Sequence, residues 1–115
     1  MAQVRIVAEK AGVTMTATLN DSATAAELLK ILPTESQAQT WGDEVYFAIP
    51  LKTGEENPQA TVPSGAIAYW PPGNAFCIFF GQTPYSPVNV LGAVDGDENE
   101  FAKVQSGETI KLEAV

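Results

Sequence analysis

The stretch GAIAYWPPGNAFCIFFG, residues 65–81, decides the fold of this chain. Two apolar runs, residues 66–70 and 75–80, flank the segment PPGN, whose prolines and glycine favour a turn. Each run is rich in aromatic and aliphatic residues and has the length of a short strand. The stretch therefore predicts a β-hairpin. Its second strand is apolar on both faces, so we expect the core to cover one face and another element or a ligand pocket to cover the other.

The N-terminal segment predicts a second hairpin. Residues 13–19 alternate strictly, with threonines on one face and apolar residues on the other, which is typical of a half-buried strand. The apolar positions are Val13, Met15, Ala17 and Leu19. Residues 3–8 also alternate, and the intervening segment, which ends at Gly12, joins the two runs.

One helix is predicted after this hairpin. Thr24 and Glu27 have the spacing of a capping box, in which each side chain binds a free amide at the start of a helix. An apolar face follows at helical spacing, and Pro33 ends the pattern. The residues of this face are Ala25, Leu28, Leu29 and Leu32. We expect the helix to close an open end of the sheet.

The rest of the chain adds strands and little helix. The further predicted strands are residues 37–41, 44–49, 88–94 and 109–113. A helical turn is predicted at 97–104. The polar segment 51–60 is predicted to be a mobile loop. No repeat or linker divides the 115 residues, so we expect a single domain spanning 1–115. About eight short strands with one or two short capping helices predict a mainly β fold that closes into a barrel, because closure removes exposed edges.

The charge of the chain excludes several classes of partner. It carries 14 acidic and 6 basic residues, a net charge of -8, and Arg5 is its one arginine. Such a protein repels nucleic-acid backbones and anionic membranes alike. No signal sequence or membrane span is evident, and the lone cysteine, Cys77, can form no intramolecular disulfide. We therefore expect a soluble cytoplasmic protein.

The central hairpin and the motifs around it resemble the small prokaryotic cyclophilin-like domains of unassigned function. The pattern consists of the N-terminal hairpin, the capped helix, GDEVYF at 42–47, YWPPG at 69–73, FFG at 79–81 and SPVN at 86–89. The resemblance implies a closed cyclophilin-like β-barrel. It also implies an apolar groove, with Phe80 in the place of a groove-floor phenylalanine and Tyr46 or Phe47 near a second aromatic. True prolyl isomerases carry an arginine on the strand that matches residues 44–49, and this strand has none.

The sequence gives little support for nucleophilic catalysis or for metal binding. Without histidine, Ser-His-Asp and Cys-His mechanisms and His-containing zinc sites are excluded. Cys77 lies in an apolar strand and is expected to pack in the core. The acidic run 95–100 starts like a calcium loop, but Glu100 stands where that loop needs glycine. We expect no metal and no cofactor. Glu44 would enter a pocket if its strand face turned inward.

These observations favour a non-catalytic binding module whose apolar groove takes a peptide or a small apolar ligand. Tyrosines offer an apolar body with a polar tip, and Gln82 could bind a peptide backbone. The groove candidates are Tyr46, Phe47, Tyr69, Phe80, Gln82 and Tyr85. A divergent peptidyl-prolyl isomerase is the alternative, and a structural or regulatory subunit is the third hypothesis. The ligand and the oligomeric state stay open.

Overall fold

The computed structural model describes residues 2–81, 83–84 and 86–115. Nine strands, one α-helix and two short 3-10 helices make up this part of the chain. The strands are β1 (Gln3–Ala8), β2 (Val13–Leu19), β3 (Thr34–Gln37), β4 (Gln39–Thr40), β5 (Glu44–Ala48), β6 (Ala66–Trp70), β7 (Ala75–Phe79), β8 (Asn89–Val94) and β9 (Thr109–Ala114). Helix α1 is Ala23–Lys30, and the 3-10 helices are Pro71–Gly73 and Glu98–Lys103.

The strands form one antiparallel sheet that curls into a nearly closed barrel. Their order is β3-β9-β1-β2-β8-β6-β7-β5-β4. The ends of the sheet approach each other where β3 contacts β5. The predicted mainly β barrel of about eight strands is thereby confirmed, and so are the hairpins β1–β2 and β6–β7. No described helix has the length and apolar character needed to cross a membrane.

Strands β5 to β8 bury apolar residues on both faces. The inner face joins the main core of the barrel, in which Phe47 and Phe76 pack with their ring centroids 5.3 Å apart. The outer face carries a second cluster with Cys77 and Phe79 at its centre, covered in part by Val62 from the long loop between β5 and β6. The expectation that both faces of residues 75–80 are covered is confirmed.

The predicted helix forms, but the predicted cap is wrong. The hydroxyl of Ser22, not Thr24, accepts a hydrogen bond from the amide of Ala25, so α1 begins two residues earlier than the capping box suggested. Thr24 is instead buried in the first turn, and Glu27 pairs with Lys30. Serine is a preferred residue at the N-cap of a helix. Ser22 follows shortly after the end of β2, and its hydroxyl also donates a hydrogen bond to the side chain of Asn20.

A carboxylate from a distant segment completes the start of α1. Glu56 accepts hydrogen bonds from the amides of Ala23 and Thr24 at 2.9 and 2.8 Å, and from the Thr24 hydroxyl at 2.6 Å. The amide of Glu56 in turn donates to the buried Asn89 side chain at 2.9 Å. The loop that contains Glu56 is therefore tied both to the helix and to β8.

The predicted strand at 37–41 is two strands in the structure. Residues 34–37 pair with β9, and residues 39–40 pair with β5. The break falls at Ala38, which is buried and donates its amide to the Glu108 carbonyl at 2.7 Å. The chain thus changes its partner strand from β9 to β5 at this residue. Because this change depends on contacts that are distant in the sequence, local periodicity does not predict it.

We expect Gly92→Ala to lower the free energy of unfolding by about 2–4 kcal/mol. Gly92 has a φ of +149°, and a Cβ there would lie 1.9 Å from the Thr18 carbonyl oxygen. Because that oxygen belongs to β2, the strands themselves would have to separate. Gly12→Ala is the control, since Gly12 has a φ of +73° but open space around it. Equal losses in urea unfolding of the two variants would contradict the steric argument.

Glu56→Gln should loosen the start of α1 in a pH-dependent way. The hydrogen bonds from Thr24 and Ala23 lower the pKa of Glu56 below its ordinary 4.5. The contribution of Glu56 to stability is therefore complete above about pH 4.5 and is lost as the pH falls through the lowered pKa. Unfolding of both proteins by denaturant across a pH series should show a deficit for the variant at neutral pH that shrinks in acid. Glu55→Gln, which removes the neighbouring exposed charge, should show no such deficit.

Candidate functional site

A cavity of about 360 Å³ opens on the outer face of strands β5 to β8. It lies against the second apolar cluster rather than inside the barrel. Its described lining combines three aromatic side chains, one of them a tyrosine, with one carboxylate, one serine hydroxyl and two small apolar side chains. These residues are Trp41, Glu44, Tyr46, Trp70, Pro84, Ser86 and Val88.

The alternation of β5 decides which of its side chains reach the cavity. Glu44 and Tyr46 point to the outer face, while Val45 and Phe47 are fully buried in the barrel core. Tyr46 lies opposite Cys77 of β7, and Glu44 lies opposite Phe79. Side chains that face each other across an antiparallel pair share a face of the sheet. Cys77 and Phe79 therefore lie beside Tyr46 and Glu44 on the outer face of the sheet.

Trp70 is held in place from two sides. Its indole nitrogen donates a hydrogen bond to the hydroxyl of Ser86. Its ring covers Gly73, where a Cβ would lie 2.6 Å from two ring carbons. Only glycine leaves room for the ring in this position, so the turn that follows β6 helps to shape the cavity wall.

Trp41 forms the most exposed wall of the cavity. It follows β4 directly, in the turn that joins β4 to β5, and its amide donates to the Glu44 carbonyl at 3.1 Å. Almost half of the surface of Trp41 is accessible to solvent, 49%. A large exposed aromatic side chain at the mouth of a cavity is a common feature of binding surfaces.

Glu44 is the charged residue of the described lining. Only 8% of its surface is exposed, and this burial raises its pKa, while a hydrogen bond from the Cys77 thiol acts in the opposite direction. Burial and the adjacent carboxylate together raise the pKa of Cys77 well above 9.0, so the thiol stays protonated and is a poor nucleophile. Glu44 lines a pocket, but its strand face points outward and not inward, as the sequence expectation had required.

The comparisons with known proteins agree on the fold. A family model described as cyclophilin-like matches residues 2–113. The chain belongs to the cyclophilin-like family. The resemblance found in the sequence is thereby confirmed.

Two solved structures extend this result. The chain is 30% identical to the hypothetical protein AF2241 from Archaeoglobus fulgidus, with a TM-score of 0.82 over 99% of this chain and 95% of that one. A structure of McbB in complex with tryptophan is 18% identical, with a TM-score of 0.80, and here the chain spans 44% of the McbB chain. The likeness to McbB concerns the fold alone. No curated protein matches the chain.

The cyclophilin-like barrel separates the four described residues among the six that were predicted to form a groove. Tyr46 lines the outer cavity. Phe47 and Tyr69 are fully buried in the barrel core, where the Tyr69 hydroxyl donates to the Leu51 carbonyl at 2.7 Å, and Phe80 packs against the same core. Gln82 and Tyr85 lie outside the described residues.

The sequence reasoning did not select Trp41, Trp70, Ser86 or Val88. Trp70 shares the central hairpin with Tyr69, but the choice between them depends on which face of β6 looks outward. The one available signal was that residues 75–79 are apolar on both faces, which predicted a covered outer face without naming what covers it.

Among the described residues that line the cavity, Glu44, Tyr46 and Ser86 carry side-chain oxygen atoms. Over the same part of the chain, no three acidic or cysteine side chains gather in a way that could hold a metal ion. Arg5 lies on β1 near Glu113, with 4.0 Å between their charged atoms, and Lys52 borders a different depression beside α1. Neither is among the described residues of the cavity.

We expect Glu44→Gln to be at least as stable as the native protein at neutral pH. Because burial raises the pKa of Glu44, the folded state keeps the Glu44 proton between about pH 4.5 and the raised pKa, where the unfolded state has released it. The free energy of unfolding therefore falls as the pH rises through this range and stays lower above it. The glutamine variant lacks this loss. In chemical unfolding at several pH values, the free energies of unfolding of the two proteins should converge in acid. At higher pH, the free energy of unfolding of the variant should exceed that of the native protein. A native protein that gains stability with pH relative to the variant would contradict the argument.

Proposed function

We propose that this cyclophilin-like domain is a non-catalytic binding module whose outer cavity takes a small, partly aromatic molecule. The observation that carries the proposal is the convergence of Trp41, Tyr46 and Trp70 around a cavity of about 360 Å³. Ligand sites are typically concave, mostly apolar and equipped with a few placed polar groups, with volumes of about 300–1000 Å³. The cavity meets each of these criteria.

The size of the cavity favours a small ligand over an extended peptide. A volume near the lower end of the range for ligand sites accommodates one ring system with a short substituent. The aromatic walls supply most of the contact area, and the hydroxyl of Ser86 and the carboxylate of Glu44 supply orientation. Because Trp70 is already fixed by Ser86 and Gly73, little side-chain entropy is lost when a ligand binds.

The alternative, a divergent peptidyl-prolyl isomerase, has weaker support. Prolyl isomerisation has a barrier of about 18–20 kcal/mol, and catalysis requires groups that stabilise the twisted amide more than the planar one. The arginine of true prolyl isomerases has no counterpart on β5, and Arg5 and Lys52 lie away from the described cavity lining. Glu44 has a raised pKa and can donate a proton in its protonated form, but no described cation stands beside it.

Titration with small aromatic fragments tests the proposal. With benzyl alcohol as the neutral reference, we expect amide chemical shifts to change around residues 41–46 and 70, with millimolar or tighter affinity, as is usual for fragments of this size. Trp41→Ala should weaken binding by about fivefold or more through loss of ring contact. Leu29→Ala, which removes another exposed apolar side chain on α1, is the matched control.

Two outcomes would contradict the proposal. One is that none of the small aromatic fragments changes amide chemical shifts in a cluster of residues around the cavity. The other is acceleration of cis–trans exchange in a proline-containing peptide well above the uncatalysed rate, because that result would establish the isomerase alternative.

A further inference from the structure

Glu44 stands in the cavity wall with almost none of its surface in water. Its exposed fraction is 8%, and its neighbours on the same face of the sheet are the side chains of Tyr46, Cys77 and Phe79. A carboxylate in such surroundings is costly unless a partner compensates for its lost hydration. The partner that the structure shows is the Cys77 thiol, a weak hydrogen-bond donor.

No described lysine or arginine compensates for this carboxylate. The ion pairs among the described residues join Arg5 with Glu113, Lys30 with Glu27, Lys103 with Glu100 and Lys111 with Glu9. All of them lie on exposed surfaces away from the cavity. The described lining contains no basic side chain at all. The charge of Glu44 is therefore available to a bound molecule.

The remaining walls suit a positive charge as well. The faces of tryptophan and tyrosine rings attract cations through their quadrupoles, most strongly where water is excluded. Trp41, Tyr46 and Trp70 surround the same space as Glu44. The net charge of -8 adds a long-range field that draws cations and repels anions.

We propose that the ligand of the cavity is an organic cation, a molecule whose ammonium group lies against Glu44 while its apolar body packs between Trp41 and Trp70. This inference rests on the proposed binding function and adds the chemical class of the ligand. The ammonium group replaces the water that Glu44 lost on folding, and the ring stacks on the aromatic walls. An anionic molecule of the same shape is excluded by repulsion from the carboxylate.

A matched series of three ligands tests the charge preference in the native protein. Benzylammonium, benzyl alcohol and benzoate share one ring and differ in the charge of the substituent. In titrations followed by amide chemical shifts at neutral pH, we expect benzylammonium to bind about tenfold more tightly than benzyl alcohol, as a desolvated charge pair with cation–π contact predicts. Benzoate should show no binding.

The variant Glu44→Gln assigns the preference to one side chain. Glutamine keeps the shape of glutamate and removes its charge, so the advantage of benzylammonium should fall to about twofold or less while benzyl alcohol binds as before. Glu55→Gln removes one charge from an exposed loop position and should leave the ranking unchanged, which separates the local effect from the net charge. The ranking in the native protein is decisive even if the Glu44 variant does not fold.

The outcomes separate this inference from the proposed function. If all three ligands bind equally, or benzyl alcohol binds best, the cavity is a binding site but the cation inference is wrong. If benzylammonium is preferred and the preference survives in Glu44→Gln, the assignment to Glu44 is wrong. If no ligand shifts the cavity amides, both the inference and the proposed function fail.

Discussion

The central strands β6 and β7, which bury apolar residues on both faces, constrain this structure more than any other feature. A sheet of this kind is stable in water only when both faces are covered. The barrel core covers the inner face of β5 to β8. The long loop between β5 and β6 covers part of the outer face through Val62, and the uncovered part is the cavity. The candidate site is thus a consequence of how the second face is packed.

The same constraint explains why the loop is tied so firmly. Residues that cover an apolar face must be held there, and a segment without regular structure needs specific anchors. Glu56 supplies one anchor by binding the start of α1, and the buried Asn89 supplies another through its bonds to Glu56 and Gly54. Helix α1, the loop and β8 therefore depend on one another, although they are distant in the sequence.

Membership of the cyclophilin-like family establishes the barrel and leaves the function to the site. One fold can support unrelated activities, and the activity follows from particular side chains. Here strand β5, which the sequence resemblance matches to the arginine-bearing strand of prolyl isomerases, has no arginine and places Glu44 in the cavity wall. A buried carboxylate surrounded by aromatic rings is suited to recognition of positive charge rather than to polarisation of an amide carbonyl.

Local patterns in the sequence were enough to determine the hairpins, the helix and the barrel class, because alternation and turn residues act over a few positions. The resemblance at residues 65–81 and its flanking motifs was enough for the family. Only the tertiary structure decided the cap of α1, the division at Ala38 and the membership of the cavity. Periodicity assigns Tyr46 and Phe47 to opposite faces of β5, but it does not tell what covers the face that carries Glu44 and Tyr46. That choice depends on contacts with segments far along the chain, and these contacts bring Trp41, Glu44, Trp70 and Ser86 together.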